Sequence, residues 1–374
     1  MQAHTGLIFD ELFLAHNAGR QTYRGSAGVA DAGEEFDTPL RLSYSKALLD
    51  VSGMSAQMQP LPYAAASDTA LLRVHTPAYL ETLAARCAAA QEDGIKLGED
   101  ARGGRATERV ARAAAGAACA AVDAVLSRRV RNVYALIRPS GHHAGPDYAM
   151  GYCYYNNAAV AARHAQAVHG LTRVAIVDWD VHHGNGTQHV FYNDPSVLFV
   201  SLHEEGNYPQ EGGSEHECGS GAALGRNVNV PLPAGSGYAA YARAFEQVVI
   251  PALMRFAPEL IIVSAGQDAN AYDPLGRMRL TRAGYRRLAA TLTGVAGTLC
   301  QGRIVCLQEG GYSLPYLPIA TLGVIEGITG LTMDFEDPHH IDDRPLASHE
   351  QAAIDRAAEA QAACNHYTGG HVDA

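Results

Sequence analysis

One stretch of the sequence joins a buried strand to a cluster of metal-binding side chains. The apolar, mostly β-branched run at residues 174–177 is typical of a strand covered on both faces of a parallel sheet. Asp178, Asp180 and His182 follow at alternate positions, so in an extended segment they project on the same side. Because such groups are costly to bury together without a cation, the stretch predicts a divalent metal site at a strand end.

Other apolar runs along the chain show what surrounds this strand. Short, mostly β-branched runs recur at residues 133–137, 197–202, 228–230, 260–264 and 304–307, and residues 5–9 form a first candidate strand. Segments with helical spacing lie at residues 40–51, 77–92, 107–126, 157–169, 238–256 and 282–299. This alternation predicts an α/β fold with a central, mostly parallel sheet and helices on both faces.

The length of 374 residues is compatible with one large domain over residues 1–374 or with two domains. Since no repeat or low-complexity linker interrupts the chain, we expect a single domain with its core at about residues 5–330. Residues 17–39 are rich in Gly, Asp, Ser and Thr and predict a long loop, which is a lid, a contact between copies in a homo-oligomer, or slack. Residues 349–374 predict a polar helix that frays.

Charge and cysteine content limit the partners. The net charge of −11, without a basic block, argues against nucleic acid and fits neutral or cationic small substrates. The seven cysteines include no Cys-x-x-Cys pair, so neither a thiolate zinc site nor a disulfide framework is indicated. No apolar run reaches membrane-spanning length and the N-terminus lacks a signal-peptide pattern, so we expect a reduced, cytoplasmic protein with no membrane partner.

Polar, glycine-punctuated clusters follow five of the predicted strands. They begin at Arg138, Asp178, His203, Ala265 and Gln308. In open α/β sheets ligands bind outside the carboxyl ends of the strands, so a single active site is expected to gather these clusters.

Asp180, His182 and Asp268 are a candidate set of three metal ligands. Oxygen and nitrogen donors without a thiolate suit zinc, manganese or iron, and do not distinguish among them. Alternatively, Asp268 caps the helix after its strand, a common role for aspartate.

Three further side chains are candidates for acid–base chemistry. His142 and His143 follow a strand directly and titrate near neutrality, so one could take a proton while the other holds one. Asp178 and Asn185 are available to fix their tautomers. Tyr312, after two glycines, could donate a hydrogen bond to a developing oxyanion. A simpler interpretation is that the histidines lie on the surface and the tyrosine only packs.

Taken in order, these motifs resemble the zinc-dependent histone deacetylase family of the arginase-deacetylase superfamily, with class II-like motifs of the bacterial amidohydrolase type. The resemblance covers about residues 5–330 and rests on the segments 138–144, 151–157, 178–188 and 309–312. It implies the single-domain arginase/deacetylase fold and hydrolysis of acylated amines, acyl-lysine-like or small amides, to carboxylate and free amine.

The resemblance also implies a role for each candidate residue. Asp180, His182 and Asp268 would bind one catalytic zinc ion. His143 would be the general base beside Asn185, His142 the electrostatic histidine paired with Asp178, and Tyr312 the group that polarises the carbonyl.

Substrate binding would involve the wall and rim of an acyl-lysine tunnel, formed by Gly151, Tyr152, Tyr208, Asp100 and Leu275. Tyr152 and Tyr208 stand where family members usually have Phe. Leu275 stands where the polyamine-selective relative has Glu, which argues mildly against an acetylpolyamine amidohydrolase. A manganese ureohydrolase of the same fold and a catalytically silent ligand-binding relative are two further candidate functions.

The family further binds structural K⁺ or Na⁺ through backbone carbonyls. The matching positions are Asp178, Asp180, His182, Ser201 and Leu202 for one site, and Phe191, Asp194 and Val197 for another.

Overall fold

A computed structural model describes residues 5–17, 20–25, 28–34, 36–91 and 94–369. The strands are β1 (Thr5–Ile8), β2 (Arg20–Gly25), β3 (Gly28–Glu34), β4 (Gln59–Pro60), β5 (Ile95–Gly98), β6 (Ala101–Gly103), β7 (Asn132–Ala135), β8 (Val174–Asp178), β9 (Val197–Glu204), β10 (Asn227–Leu232), β11 (Leu260–Ala265) and β12 (Ile304–Gln308). The helices are α1 (Leu40–Val51), α2 (Asp68–Leu71), α3 (Pro77–Ala88), α4 (Thr107–Leu126), α5 (Asn157–His169), α6 (Asn185–Phe191), α7 (Tyr238–Ala244), α8 (Ile250–Phe256), α9 (Arg282–Cys300), α10 (Leu317–Thr329) and α11 (Ser348–Gly369). A π-helical turn, Phe245–Val249, joins α7 to α8.

Eight strands form the central sheet, in the order β10-β9-β8-β11-β12-β7-β1-β4, and every neighbouring pair is parallel. Helices α4 and α5 pack together on one face, and α1, α9 and α10 pack together on the other. The prediction of an α/β fold with a mostly parallel sheet between helices is therefore confirmed.

The position of β8 determines where the site forms. It lies between β9 and β11, and all five of its residues are buried, as expected for a strand covered on both faces. Its last residue, Asp178, is in register with Ser201 of β9 and Ser264 of β11. The strand ends that carry the polar clusters therefore lie side by side at one edge of the sheet.

One prediction about the N-terminal region is wrong. Residues 17–39 are not simply a long loop, because β2 and β3 pair there as antiparallel strands. Glycine-rich, polar strands lack the apolar alternation by which strands are recognised in sequence.

The C-terminal segment forms the predicted polar helix, α11, which is docked against the sheet. The predicted fraying concerns the chain end, and residues 370–374 lie outside the described residues. Helix α11 packs against β10, and its Ala353, Ile354 and Ala357 are buried. Cys364 in this helix forms a disulfide with Cys218, so the expectation of a chain without disulfides is also wrong. The two cysteines are 146 residues apart in sequence, and no local spacing motif marks such a pair. Across the described residues, no helix is long and apolar enough to span a membrane.

Candidate active site

The three predicted metal ligands meet at the carboxyl edge of the sheet. His182 Nδ1 lies 3.0 Å from Asp180 Oδ1 and 3.2 Å from Asp268 Oδ2. One ligand atom from each residue lies within 4.8 Å of the others, and all three residues are buried. Two carboxylates and one imidazole, without a thiolate, are a donor set that suits a divalent ion such as zinc, manganese or iron.

An unsatisfied atom shows that this set is suited to a cation. Asp268 Oδ1 accepts a hydrogen bond from the Val181 amide at 2.7 Å, but the buried Oδ2 has no hydrogen-bond partner. A buried carboxylate oxygen without a partner is costly unless a cation completes it. Capping does not explain Asp268, because the next described helix, α9, is capped by Thr281.

Close backbone approach makes room for the two carboxylates. A Cβ atom added at Gly310 would lie 2.0 Å from Asp268 Oδ2 and 2.6 Å from Asp180 Oδ2. The Gly310 amide donates to Asp180 Oδ2 at 2.8 Å. Only glycine allows the β12–α10 connection to approach the acidic groups this closely.

The tandem histidines are held by different partners. His142 Nδ1 lies 3.0 Å from Asp178 Oδ2, while His143 Nδ1 lies 2.7 Å from Asn185 Oδ1, and the two ring centroids are 4.0 Å apart. Since an amide oxygen only accepts, His143 Nδ1 carries the proton and Nε2 is left as the basic atom.

The surroundings separate the pKa values of the two rings. Burial lowers the pKa of His142, but attraction to Asp180 and Asp178 outweighs it and raises that pKa to about 10. Burial and the neighbouring His142 and His182 lower the pKa of His143 well below its ordinary value. A cation bound by Asp180 would offset the attraction of Asp180 for His142, whereas the 3.0 Å contact between His142 Nδ1 and Asp178 Oδ2 would remain. The arrangement therefore provides one proton-holding ring and one basic ring.

Tyr312 lies at the end of the glycine turn, where its backbone amide donates to Asp273 Oδ2 at 2.7 Å. Its ring centroid is 5.8 Å from that of Tyr152 and 4.6 Å from the Arg41 guanidinium carbon. Burial raises the pKa of Tyr312 well above its ordinary value, more than the nearby Arg41 lowers it. The phenol therefore keeps its proton at neutral pH and can serve as a hydrogen-bond donor.

A pocket of about 200 Å³ connects these groups to solvent. It is lined by Asp100, His143, Gly151, Tyr152, His182, Asn207, Tyr208, Leu275 and Tyr312. All five residues predicted for the tunnel wall and rim thus lie at one pocket with the acid–base groups. Asn207, which was not predicted, donates its amide hydrogens to the Leu275 carbonyl at 3.0 Å and to Glu204 at 3.3 Å, and so positions the rim.

Replacing Gly151 by alanine is expected to reduce turnover strongly while leaving the fold intact. Gly151 has φ +52°, and an added Cβ would lie 2.5 Å from Cδ2 of His143. The ring would have to move, and a misplaced catalytic group costs about 100-fold in rate. Steady-state kinetics would measure this loss. Gly53→Ala, at φ +80° with nothing within 4 Å, is the control for backbone strain alone and should keep wild-type turnover.

The positions predicted for monovalent cations lie in two places. Asp178, Asp180 and His182 belong to the segment just described, and Ser201 and Leu202 lie on the neighbouring β9. Phe191, Asp194 and Val197 lie at the α6–β9 connection, where the Asp194 amide donates to the Phe191 carbonyl at 3.0 Å. Cation binding at either place stays a prediction.

Several buried residues that support the site were not identified as functional from the sequence. Glu309 accepts hydrogen bonds from the Gly141 amide at 2.6 Å and from Ser264 Oγ at 3.1 Å, and so joins the histidine loop to β11. Arg41 of α1 donates to the carbonyls of Glu309 at 2.7 Å and Gly311 at 2.5 Å. A lone Arg in a helix leaves no sequence signal for this role.

The carboxyl edge of the parallel sheet brings a metal-ligand set, two paired histidines and a tyrosine to one narrow pocket. This combination is typical of a hydrolase active site. The histone deacetylase domain pattern matches residues 36–328. The chain belongs to the histone deacetylase family, and it is a deacetylase-type hydrolase that acts on amide bonds.

Individual relatives agree over most of the chain. The histone deacetylase-like amidohydrolase of Pseudomonas aeruginosa is 44% identical over 345 residues, which cover 90% of this chain and 89% of that protein. The chloroplastic histone deacetylase 10 of Oryza sativa subsp. japonica is 37% identical over 357 residues, covering 92% and 78%. The crystal structure of the HDA15 HD domain superposes with a TM-score of 0.84 at 34% identity, covering 96% of both chains.

Proposed function

We propose that this protein is a zinc-dependent deacetylase that hydrolyses the acyl-amide bond of acylated amines, acyl-lysine-like or small amides, to a carboxylate and a free amine. The observation that carries the proposal is the unsatisfied Asp268 Oδ2, 3.2 Å from His182 Nδ1, with Asp180 beside them at a pocket that contains His143 and Tyr312. Asp180, His182 and Asp268 would bind the zinc ion. When bound, zinc supplies Lewis acidity toward the substrate carbonyl and lowers the pKa of water.

His143 performs the proton transfers. Its Nδ1–H is fixed on Asn185, so Nε2 takes a proton from the attacking water and then delivers it to the leaving amine. His142, protonated beside Asp178, stays in place as a fixed positive charge against the negative charge of the transition state. The difference between their hydrogen-bond partners, a carboxylate and an amide, is what separates the two roles.

Tyr312 stabilises the oxygen of the reacting carbonyl. Its phenol is protonated and faces the pocket, so it donates a hydrogen bond that strengthens as negative charge develops on that oxygen. The bonds from Arg41 to the carbonyls of Glu309 and Gly311 hold the turn that presents the ring. Because these bonds already hold the Tyr312 ring in place in the free enzyme, the ring has little need to move when the reaction takes place.

The pocket supports a narrow, monoacylated amine as substrate. The aromatic residues Tyr152 and Tyr208 line a space of only about 200 Å³, which fits an alkyl chain. At the rim, Leu275 offers an apolar side chain, so a second ammonium group of an acylpolyamine would have no carboxylate partner at that position. Asp100 at the same pocket is available to accept a hydrogen bond from a substrate backbone.

A substrate panel tests this proposal. The holoenzyme would be incubated with acetyl-lysine peptides, small acetylamides, acetylpolyamines and guanidino compounds, and release of carboxylate and of urea would be measured. We expect turnover of the first two classes. Hydrolysis of guanidino compounds without deacylation, or no turnover of any class, would overturn the proposal.

Asp268→Asn is the companion variant, because it keeps the shape of the side chain and removes its charge. It is expected to contain one zinc ion per chain fewer than the wild type and to lose at least about 100-fold in kcat. Metal analysis and kinetics on the same preparation check both results. Full activity in Asp268→Asn would remove this residue from the metal site.

A further inference from the structure

A second cluster of metal-ligating side chains lies outside the active site, on two packed helices. Asp123 comes from α4, and His164 and His169 come from α5. The Nε2 atoms of His164 and His169 lie 2.7 Å and 2.6 Å from the same oxygen, Oδ1 of Asp123. One ligand atom from each residue lies within 4.8 Å of the other two. None of the three lines the tunnel pocket.

The convergence on one oxygen is the informative feature. If the cluster were held only by hydrogen bonds, His164 and His169 would both have to carry a proton on Nε2 and donate it to the same oxygen of Asp123. Two imidazole nitrogens and one carboxylate oxygen within 4.8 Å of one another are also a ligand set that zinc-class cations take in proteins.

An ion could reach the cluster and complete its coordination. The side chains of His164 and His169 are 14% and 25% exposed, and that of Asp123 is 44% exposed. Asp123 and His164 also line a cavity of about 340 Å³ that opens between α4, α5 and the segment around Ser67. This cavity leaves room for water molecules at the remaining positions of a tetrahedral or five-coordinate ion.

We propose that Asp123, His164 and His169 form a second divalent-metal site of the zinc class, which links α4 to α5 and has a structural role. The site lies at the carboxyl end of α5, whose last residue is His169. The other end of α5 begins at Asn157, and the preceding Asn156 donates to the Ala144 carbonyl at 3.1 Å, next to the tandem histidines. The metal therefore fixes the far end of the helix that begins beside the active site. This proposal does not depend on the proposed deacetylase function.

Zinc binding by the holoenzyme tests the site. Protein equilibrated with Zn²⁺ and then freed of excess metal is expected to hold two zinc ions per chain. The double variant His164→Gln/His169→Gln should hold one, with unchanged deacetylase turnover. Added zinc should raise the unfolding temperature of the wild type and not that of the variant.

The control is His340→Gln, which removes an exposed histidine that pairs with Asp342 and should leave two zinc ions per chain. A second variant, Asp123→Asn, should also lose one ion, and circular dichroism would verify that both variants fold. Equal zinc content in the wild type and the double variant would overturn the proposal and leave the cluster as an ion pair. The result is distinct from that for Asp268→Asn, which should lose one zinc together with activity.

Discussion

Tyr312→Phe is expected to lower kcat by about 10²–10³-fold and to leave KM nearly unchanged, because it removes one donor to the developing oxyanion. Phenylalanine keeps the ring that packs against the Arg41 guanidinium at 4.6 Å and Tyr152 at 5.8 Å. The backbone bond to Asp273 is also unaffected. The loss should therefore arise in the transition state and not in substrate binding.

Single-turnover and steady-state kinetics with an acetyl-lysine peptide would separate an effect on the chemical step from an effect on substrate binding. Tyr44→Phe, which removes a phenol that is 48% exposed and outside the pocket, is the matched control and should keep wild-type kinetics. Unchanged kcat in Tyr312→Phe would exclude the phenol from the mechanism. A raised KM with unchanged kcat would make Tyr312 a binding residue only.

Asp37→Ala is expected to lower the free energy of unfolding by about 3–5 kcal/mol, because it leaves two buried cations without their anion. Asp37 Oδ1 accepts from Arg41 at 2.5 Å and from Arg138 at 2.9 Å, and all three side chains are at most 1% exposed. Activity should fall as well, since Arg41 also holds the turn that carries Tyr312. Chemical denaturation monitored by circular dichroism would measure the change.

Asp50→Ala is the matched control for this variant. Asp50 pairs with Lys46 at the same four-residue spacing, but the two side chains are 49% and 26% exposed, so the loss should stay below about 1 kcal/mol.

Burial raises the pKa of Asp37, yet Arg138, His16 and Arg41 together hold it well below its usual range. A depressed pKa stabilises the fold above the unfolded value of about 4 and loses that contribution as the pH falls below it. The difference between wild type and Asp37→Ala should therefore shrink in acid, and a pH-independent difference would contradict this account.

Much of the fold could be predicted because most of its strands are short apolar runs and several of its helices have apolar residues at helical spacing. The boundaries of α4 and α5 match the predicted segments, and all six apolar runs from residue 133 onward are strands of the sheet. By contrast, α10 was not predicted, because it is buried on all sides and its apolar residues have no helical period. The pairing of β2 with β3 and the docking of α11 depend on contacts distant in sequence.

The site was predictable where residue types and strand ends coincide. Asp180, His182 and Asp268 come together as expected, and His142 and His143 have the partners Asp178 and Asn185. Arg41 and Asp37 were not identified, because Arg41 contacts the Tyr312 turn from a segment distant in sequence and Asp37 acts only through its contact with Arg41. The link between Asp123 and the two histidines of α5 likewise depends on the packing of two helices, which local spacing does not reveal.

The place of β1 in the sheet means that the region matching the family pattern does not contain the whole central sheet. Residues 36–328 exclude β1, yet this strand lies between β7 and β4 and pairs with both. Without it, β7 would present an unpaired edge and β4 would have no neighbour in the sheet. The C-terminal limit of the pattern, at residue 328, leaves out α11, which packs against β10 at the opposite end of the sheet. Both ends of the sheet are therefore completed by sequence that the family pattern does not include.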